Sequence, residues 1–286
     1  MLFSAFGLPF MSTALAALLL IAATVGPIST LVSLRGLEFL SEGVIHAVFP
    51  GIVIGYVVAS VPGLYVGALI AATIAAAALT LIARNGVASG PAIAIVLTSA
   101  FGVGVIVVSR QSDYAGQLQQ LLFGRLFTIA PSELVPLAAG LAVALTLVTV
   151  TWRRQVYVAF DRAGAIAAGA NPLLTDLVLN IAIAIAVVAA SAAVGNLLVL
   201  AVIIIPGAVG RLVGGLLSVG VAVATLFGAM AAWLGLAAAF SLSLSGATHL
   251  PGGAATVLVM VLAYLVAAAS RLGWDAMLSR RRPRQR

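Results

Sequence analysis

Apolar positions in this chain come in long runs, not in alternation. Residues 1–34 carry no charged side chain, and apolar character dominates residues 10–34. A helix rises about 1.5 Å per residue, so roughly 20 apolar residues cross a hydrocarbon core of about 30 Å. Residues 10–34 are therefore the first expected span. The run is long and lacks a basic leader, which marks a retained helix and not a signal peptide. After Glu42 the next charge is Arg84. That stretch is too long for one crossing, and Val61-Pro62-Gly63 supplies a turn between a second span and a third. Residues 85–109 and 134–152 give the fourth and fifth. Between Asp176 and Arg211 lie 34 uncharged residues, which divide near 193–195 into a sixth and a seventh. Residues 212–247 and 254–270 complete nine. A membrane β-barrel would show alternating segments of about 10 residues instead.

Composition sharpens this reading. The chain has 286 residues, 63% hydrophobic and 7% charged. Soluble domains run at about 45–50% apolar and about 25% charged. A soluble enzyme, a nucleic-acid-binding domain and a disordered chain are all excluded, and an all-α polytopic membrane protein remains. Every one of the 14 basic residues is Arg. Without Lys this chain holds no P-loop lysine, Schiff base or Ser-Lys dyad. Without Cys it has no disulfide, thiolate ligand or thiol nucleophile, and the redox compartment stays open.

The arginines fall in short connections, which makes them orientation signals. With nine spans and the N-terminus outside, 12 arginines face inward: Arg35, Arg84, Arg153, Arg154, Arg162, Arg211, Arg271, Arg280, Arg281, Arg282, Arg284 and Arg286. Only Arg110 and Arg125 face outward. The expected organisation is a single transmembrane domain over residues 1–270. It has an outer segment at 111–130 and an inner segment at 153–175. A basic inner tail follows at 271–286, expected to be disordered over 279–286 and reading first as an orientation anchor and second as a contact for anionic lipid.

Ionisable groups inside a membrane are costly and mark function by default. Glu38, Glu42 and His46 follow at i, i+4 and i+8, one slightly drifting stripe on a helix. A carboxylate and an imidazole at i, i+4 both reach one metal ion. Pro50 has no N–H, so the His46 carbonyl loses its helical partner. Such a carbonyl beside Glu and His suits a hard or borderline cation. In the competing reading, the glutamates snorkel or pair with Arg35 and His46 bonds a neighbouring helix. His249, in an expected outer loop, is either a metal-entry contact or a solvated loop side chain. Pro27 and Pro206 read as kinks, and Gly210, Gly214 and Gly215 as sites of close helix packing.

The stretch Leu34-Arg35-Gly36 through Glu42-Gly43-Val44-Ile45-His46-Ala47-Val48-Phe49-Pro50-Gly51 resembles the permeases of the manganese/zinc/iron ABC importers. That family has an acid, three residues, then His-Ala-Val-x-Pro-Gly; here the acid is Glu42, where Asp is usual. Leu122-Phe123-Gly124-Arg125-Leu126 is similar to its Leu-Phe-Gly-x-Leu segment. Asp161, Ala165, Ala167 and Gly169 resemble its cytoplasmic element, with Ala168 where Leu is usual. Val194-Gly195, Ile205-Pro206-Gly207-Ala208 and Leu250-Pro251-Gly252-Gly253 follow in the family's order.

The resemblance implies an ABC importer permease of the metal-chelate type. It implies two permease copies, two cytoplasmic ATPase subunits and an extracytoplasmic metal-binding protein, all in a bacterial cytoplasmic membrane. It places Glu42 and His46 on the path of a transported divalent metal, Mn²⁺ or Zn²⁺ ahead of Fe²⁺, with no permanently bound cofactor. It assigns Asp161, Ala165, Ala167 and Gly169 to ATPase coupling. Glu38 has no family counterpart. Two other classes stay in view. A secondary cation transporter without ATP needs inverted repeats, and no convincing repeat is present. A membrane-embedded enzyme needs a constellation that two histidines, without Cys or Lys, scarcely supply.

Overall fold

The computed structural model describes residues 6–84, 89–109, 124–244 and 251–281. It is all-helical, with no strand among the described residues. In chain order the helices are α1 (Pro9–Arg35), α2 (Glu38–Arg84), α3 (Ser89–Val108), α4 (Leu134–Phe160), α5 (Arg162–Ala167), α6 (Pro172–Val194), α7 (Asn196–Val213), α8 (Leu217–Leu244) and α9 (Gly252–Arg281). Two short 3-10 turns, Leu126–Thr128 and Pro131–Glu133, precede α4.

Eight segments among the described residues are long and apolar enough to cross a membrane. The fourth expected span is the shorter helix α3, with an apolar stretch at Ile93–Val107. Helix α2 supplies two of the eight, Glu38–Ala59 and Tyr65–Ile82. Its two arms fold back on each other where the sequence places the turn. Gly51 lies against the Gly67 carbonyl, and Gly55 against Gly63. These small residues let the backbones approach as closely as helices in lipid require.

The difficult division at 193–195 falls as expected: α6 ends at Val194, α7 begins at Asn196, and Gly195 lies between them. Two boundaries differ from the sequence reading. Helix α4 continues to Phe160, so residues 153–160 are helical and continuous with the fifth span. Helix α9 runs past residue 270, where the sequence reading ends the span, to Arg281, inside the stretch from residue 279 expected to be disordered. Ala, Met, Leu and Arg are good helix formers, and no proline occurs between residue 270 and Pro283. Residues 282–286, like most of the outer segment 111–130, lie outside the described residues.

Helix α1 is the centre of the bundle, with α4, α7 and α8 packed around it. Its inward side chains, from Met11 through Ile21 and Ile28 to Val32, are fully or almost fully buried. Polar contacts fix its last turns. The Gly207 N–H of α7 donates to the Ser29 hydroxyl at 2.6 Å. Arg211 donates to the Ser33 carbonyl at 2.6 Å. On the outside the bundle is equally apolar: Val150 is 80% exposed, and Leu226, Met230 and Leu262 also point outward. A surface of this kind is stable only against lipid or another subunit.

The helices alternate in direction, which sorts the arginines. Arg35, Arg153, Arg162, Arg211 and Arg271 lie in the parts of their helices toward one end of the bundle, hereafter the Arg35 end. Arg125 lies at the other end, where it pairs with Glu133 at 2.6 Å.

Candidate functional site

The α1–α2 corner positions the acidic stripe. Helix α1 stops because Gly36 adopts φ 63° and ψ 38°, a left-handed conformation that glycine enters without a steric penalty. Leu37 then donates back to the Val32 carbonyl at 3.0 Å, and α2 begins at Glu38. Glu38 sits in the first turn, where a negative charge complements the helix dipole. Leu40 and Val44 of the same helix pack into the core. Glu42 and His46, on the other side, are half-buried.

The surroundings of His46 are aromatic. Its imidazole meets the Phe101 ring of α3 at 6.0 Å between centroids, with 84° between the planes. Phe101 in turn stacks on Phe49 at 5.5 Å. The nearest charge acting on His46 is Glu42, one turn earlier. Glu42 has no hydrogen bond or ion pair among the described residues. The pairing of Glu38 or Glu42 with Arg35 is not what forms. Arg35 instead forms an ion pair with Asp176 and donates to the Gln155 side-chain oxygen at 2.6 Å.

The described residues of one chain bring too few ligands together to hold a transition metal. No group of three His, Asp or Glu side chains converges among the described residues. A tetrahedral site takes about four donors. The available donors are the Glu42 carboxylate, the His46 imidazole and the His46 carbonyl opposite Pro50. His249 lies outside the described residues.

The second motif, residues 161–169, forms a compact capped turn at the Arg35 end. Asp161 is the N-cap of α5 and accepts from the Gly164 N–H at 2.8 Å. Gly169 closes the helix at φ 82°, donating to the Ile166 carbonyl, while Ala170 donates to the Ala165 carbonyl, both at 2.9 Å. This is the double hydrogen bond of a glycine-terminated helix. Asn171 then caps α6, with Pro172 in its first turn. Ala165 turns inward and is fully buried. Ile166, Ala167 and Gly169 are exposed. The helix spans only Arg162–Ala167, because Gly169 ends it and Pro172 starts the next.

Sequence reasoning missed the polar cluster beneath α5. The two Asp176 carboxylate oxygens accept from Arg35 and from Arg162, the latter at 2.9 Å. Gln155, fully buried, donates to the Thr175 carbonyl at 2.9 Å. Asn180 donates to the Thr80 hydroxyl at 2.6 Å. The available signal was Asp176 with Asn180 at i, i+4, two polar groups entering an otherwise apolar helix.

The ABC 3 transport family matches residues 7–271, nearly the whole chain. The chain is 30% identical over 229 residues to the manganese transport system membrane protein MntC of Halalkalibacterium halodurans, covering 79% of this chain and 77% of that one. It is 25% identical over 256 residues to the chelated iron transport system membrane protein YfeC of Yersinia pestis, covering 86% and 83%. In fold it is similar to PsaBC from Streptococcus pneumoniae, solved in complex with Fab. The TM-score there is 0.81 at 22% identity, over 93% of this chain and 94% of that one. The fold and these matches define a multi-pass permease of the bacterial inner membrane, of the ABC metal-transport type. The chain belongs to the ABC 3 transport family.

Proposed function

We propose that this chain is the membrane subunit of an ATP-driven importer of a divalent transition metal ion, manganese or zinc. Glu42 and His46 form the metal path. The observation that carries this reading is their state: one turn apart, half-buried, and without a hydrogen-bond or ion-pair partner among the described residues. An unpaired carboxylate in a membrane helix is expensive to maintain unless a ligand uses it. The manganese and iron systems named for its relatives agree with a transition-metal cargo.

A second permease copy related by a two-fold axis would double the ligand set to two carboxylates and two imidazoles. With waters or the His46 carbonyl, that is enough for Mn²⁺ or Zn²⁺. This chain has no lysine and so no P-loop of its own. Two ATPase subunits would dock on α5 at the Arg35 end, and an extracytoplasmic metal-binding protein would deliver the ion at the other. The positive-inside rule then puts the Arg35 end in the cytoplasm and the N-terminus outside. Radiometal uptake by proteoliposomes holding the permease with its ATPase tests this. Uptake that requires ATP and is lost on Glu42→Gln supports it; uptake without ATP would make the chain a secondary transporter.

A further inference from the structure

Helix α5 packs on α4 and α6 and has no sustained packing on α1 or α2. A cavity of about 670 Å³ separates it from the α1–α2 corner. Leu34, Arg35 and Leu40 line one side; Arg162, Ile166 and Asp176 line the other. Side chains cross this gap where helices do not. Arg162, the first residue of α5, donates to one Asp176 oxygen at 2.9 Å. Arg35, the last residue of α1, donates to the other.

The two arms of this bridge differ in kind. The Arg35 side chain is 6% exposed and Asp176 is 19% exposed. Breaking that pair would leave a buried charge without compensation, so it is the fixed arm. Arg162 is 56% exposed, and water replaces its partner at little cost. It is the releasable arm. Gln155 holds Arg35 from a second direction, so the fixed arm keeps its geometry when Arg162 leaves. Beyond Arg35 the chain needs only Gly36 and Leu37 before the helix that carries Glu42 and His46 begins.

We infer that Asp176 is a positioning residue that couples α5 to the metal path: its Arg162 arm makes and breaks as α5 moves, and its Arg35 arm passes that state to the α1–α2 corner. This inference rests on the importer reading above. A two-state contact of this kind is what coupling between distant sites requires.

The experiment uses the full permease–ATPase complex in proteoliposomes, with radioactive manganese and ATP hydrolysis measured together. Arg162→Ala keeps the buried pair intact and removes only the releasable arm. It should assemble normally and retain at least about half of the ATP hydrolysis, while metal moved per ATP falls about fivefold or more. Arg162→Lys should restore most of that ratio. Asp176→Asn, which also removes the charge of the buried pair, should lose at least as much, and adding Arg162→Ala to it should cost nothing more. An unchanged ratio in Arg162→Ala, with normal wild-type transport, overturns the inference alone. Additive losses in the double variant would place Arg162 on the ATPase surface and also overturn it. A wild-type complex without ATP-dependent uptake overturns the importer reading and this inference together.

Discussion

Phe101 holds the His46 imidazole edge to face, 6.0 Å between centroids and 84° between planes, although the two residues come from different helices. Phe49 backs that ring from the helix of His46 itself. The aromatic wall restricts the imidazole to one side. Aromatic pairs of this geometry contribute about 0.5–1.5 kcal/mol beyond burial. Phe101→Ala should therefore raise the metal concentration for half-maximal uptake about two- to tenfold, with permease abundance unchanged. Phe101→Tyr should stay close to wild type. The check is a concentration series of radiometal uptake.

Gly207 lies so close to Ser29 that a Cβ there would overlap the Ser29 carbonyl. Both belong to backbone that cannot move aside, and α1 is the centre of the bundle. Gly207→Ala should destabilise the permease by about 1–3 kcal/mol. Ser29→Ala, which removes only the hydroxyl acceptor, should cost about 1 kcal/mol. Thermal unfolding in detergent should rank the two variants in that order; equal melting temperatures would contradict the packing described.

The α5 turn separates a structural residue from an exposed one. Gly169 needs its left-handed conformation, and Gly169→Ala should cost about 1–2 kcal/mol from backbone strain. Ala167 is exposed and bears no load in the fold. Ala167→Trp should leave the melting temperature unchanged but weaken co-purification of the ATPase. Undiminished capture of the ATPase by that variant would remove α5 from the docking surface.

Orientation has its own test, and the absence of cysteine makes it clean. A cysteine at Ser112 should react with a membrane-impermeant reagent added to intact cells, and one at Ala167 should react only after lysis. The reverse pattern would invert the assignment built on the arginines.

Much of the fold was legible because membrane burial writes itself into composition. The divisions at Val61-Pro62-Gly63 and at 193–195 follow from run length and breaker residues; the first falls between the two spans of α2 and the second at a helix boundary. What run length could not supply was the end of a helix that leaves the apolar layer. Arg153 and Arg154 read as a connection, yet α4 continues through them to Phe160, since arginine is a good helix former. The Glu42–His46 stripe was legible from its spacing. Its aromatic wall was not, because Phe101 is distant in sequence and one phenylalanine among 11 carries no local signal. Asp176 was visible only as the edge of an uncharged stretch; its two arginines come from α1 and α5. Three similar-looking motifs acquire a shared meaning only in space. Gly124 packs against Val194 and Gly195, and Gly252 meets Leu126 and Phe127, all at the end opposite Arg35.

The central claim is that Glu42 and His46 carry the metal, and one experiment addresses it most directly. Radiomanganese and radiozinc uptake are measured in proteoliposomes with Glu42→Gln, His46→Ala and Glu38→Gln, alongside permease abundance and ATPase assembly. Glu42→Gln preserves shape and removes charge; His46→Ala removes the nitrogen donor. Each should cut uptake at least about tenfold, the effect of losing about 1.4 kcal/mol or more of metal binding, at unchanged abundance. Glu38→Gln, one turn nearer the Arg35 end and in the first turn of α2, should do less. Near-normal uptake by both Glu42→Gln and His46→Ala would contradict the proposed path.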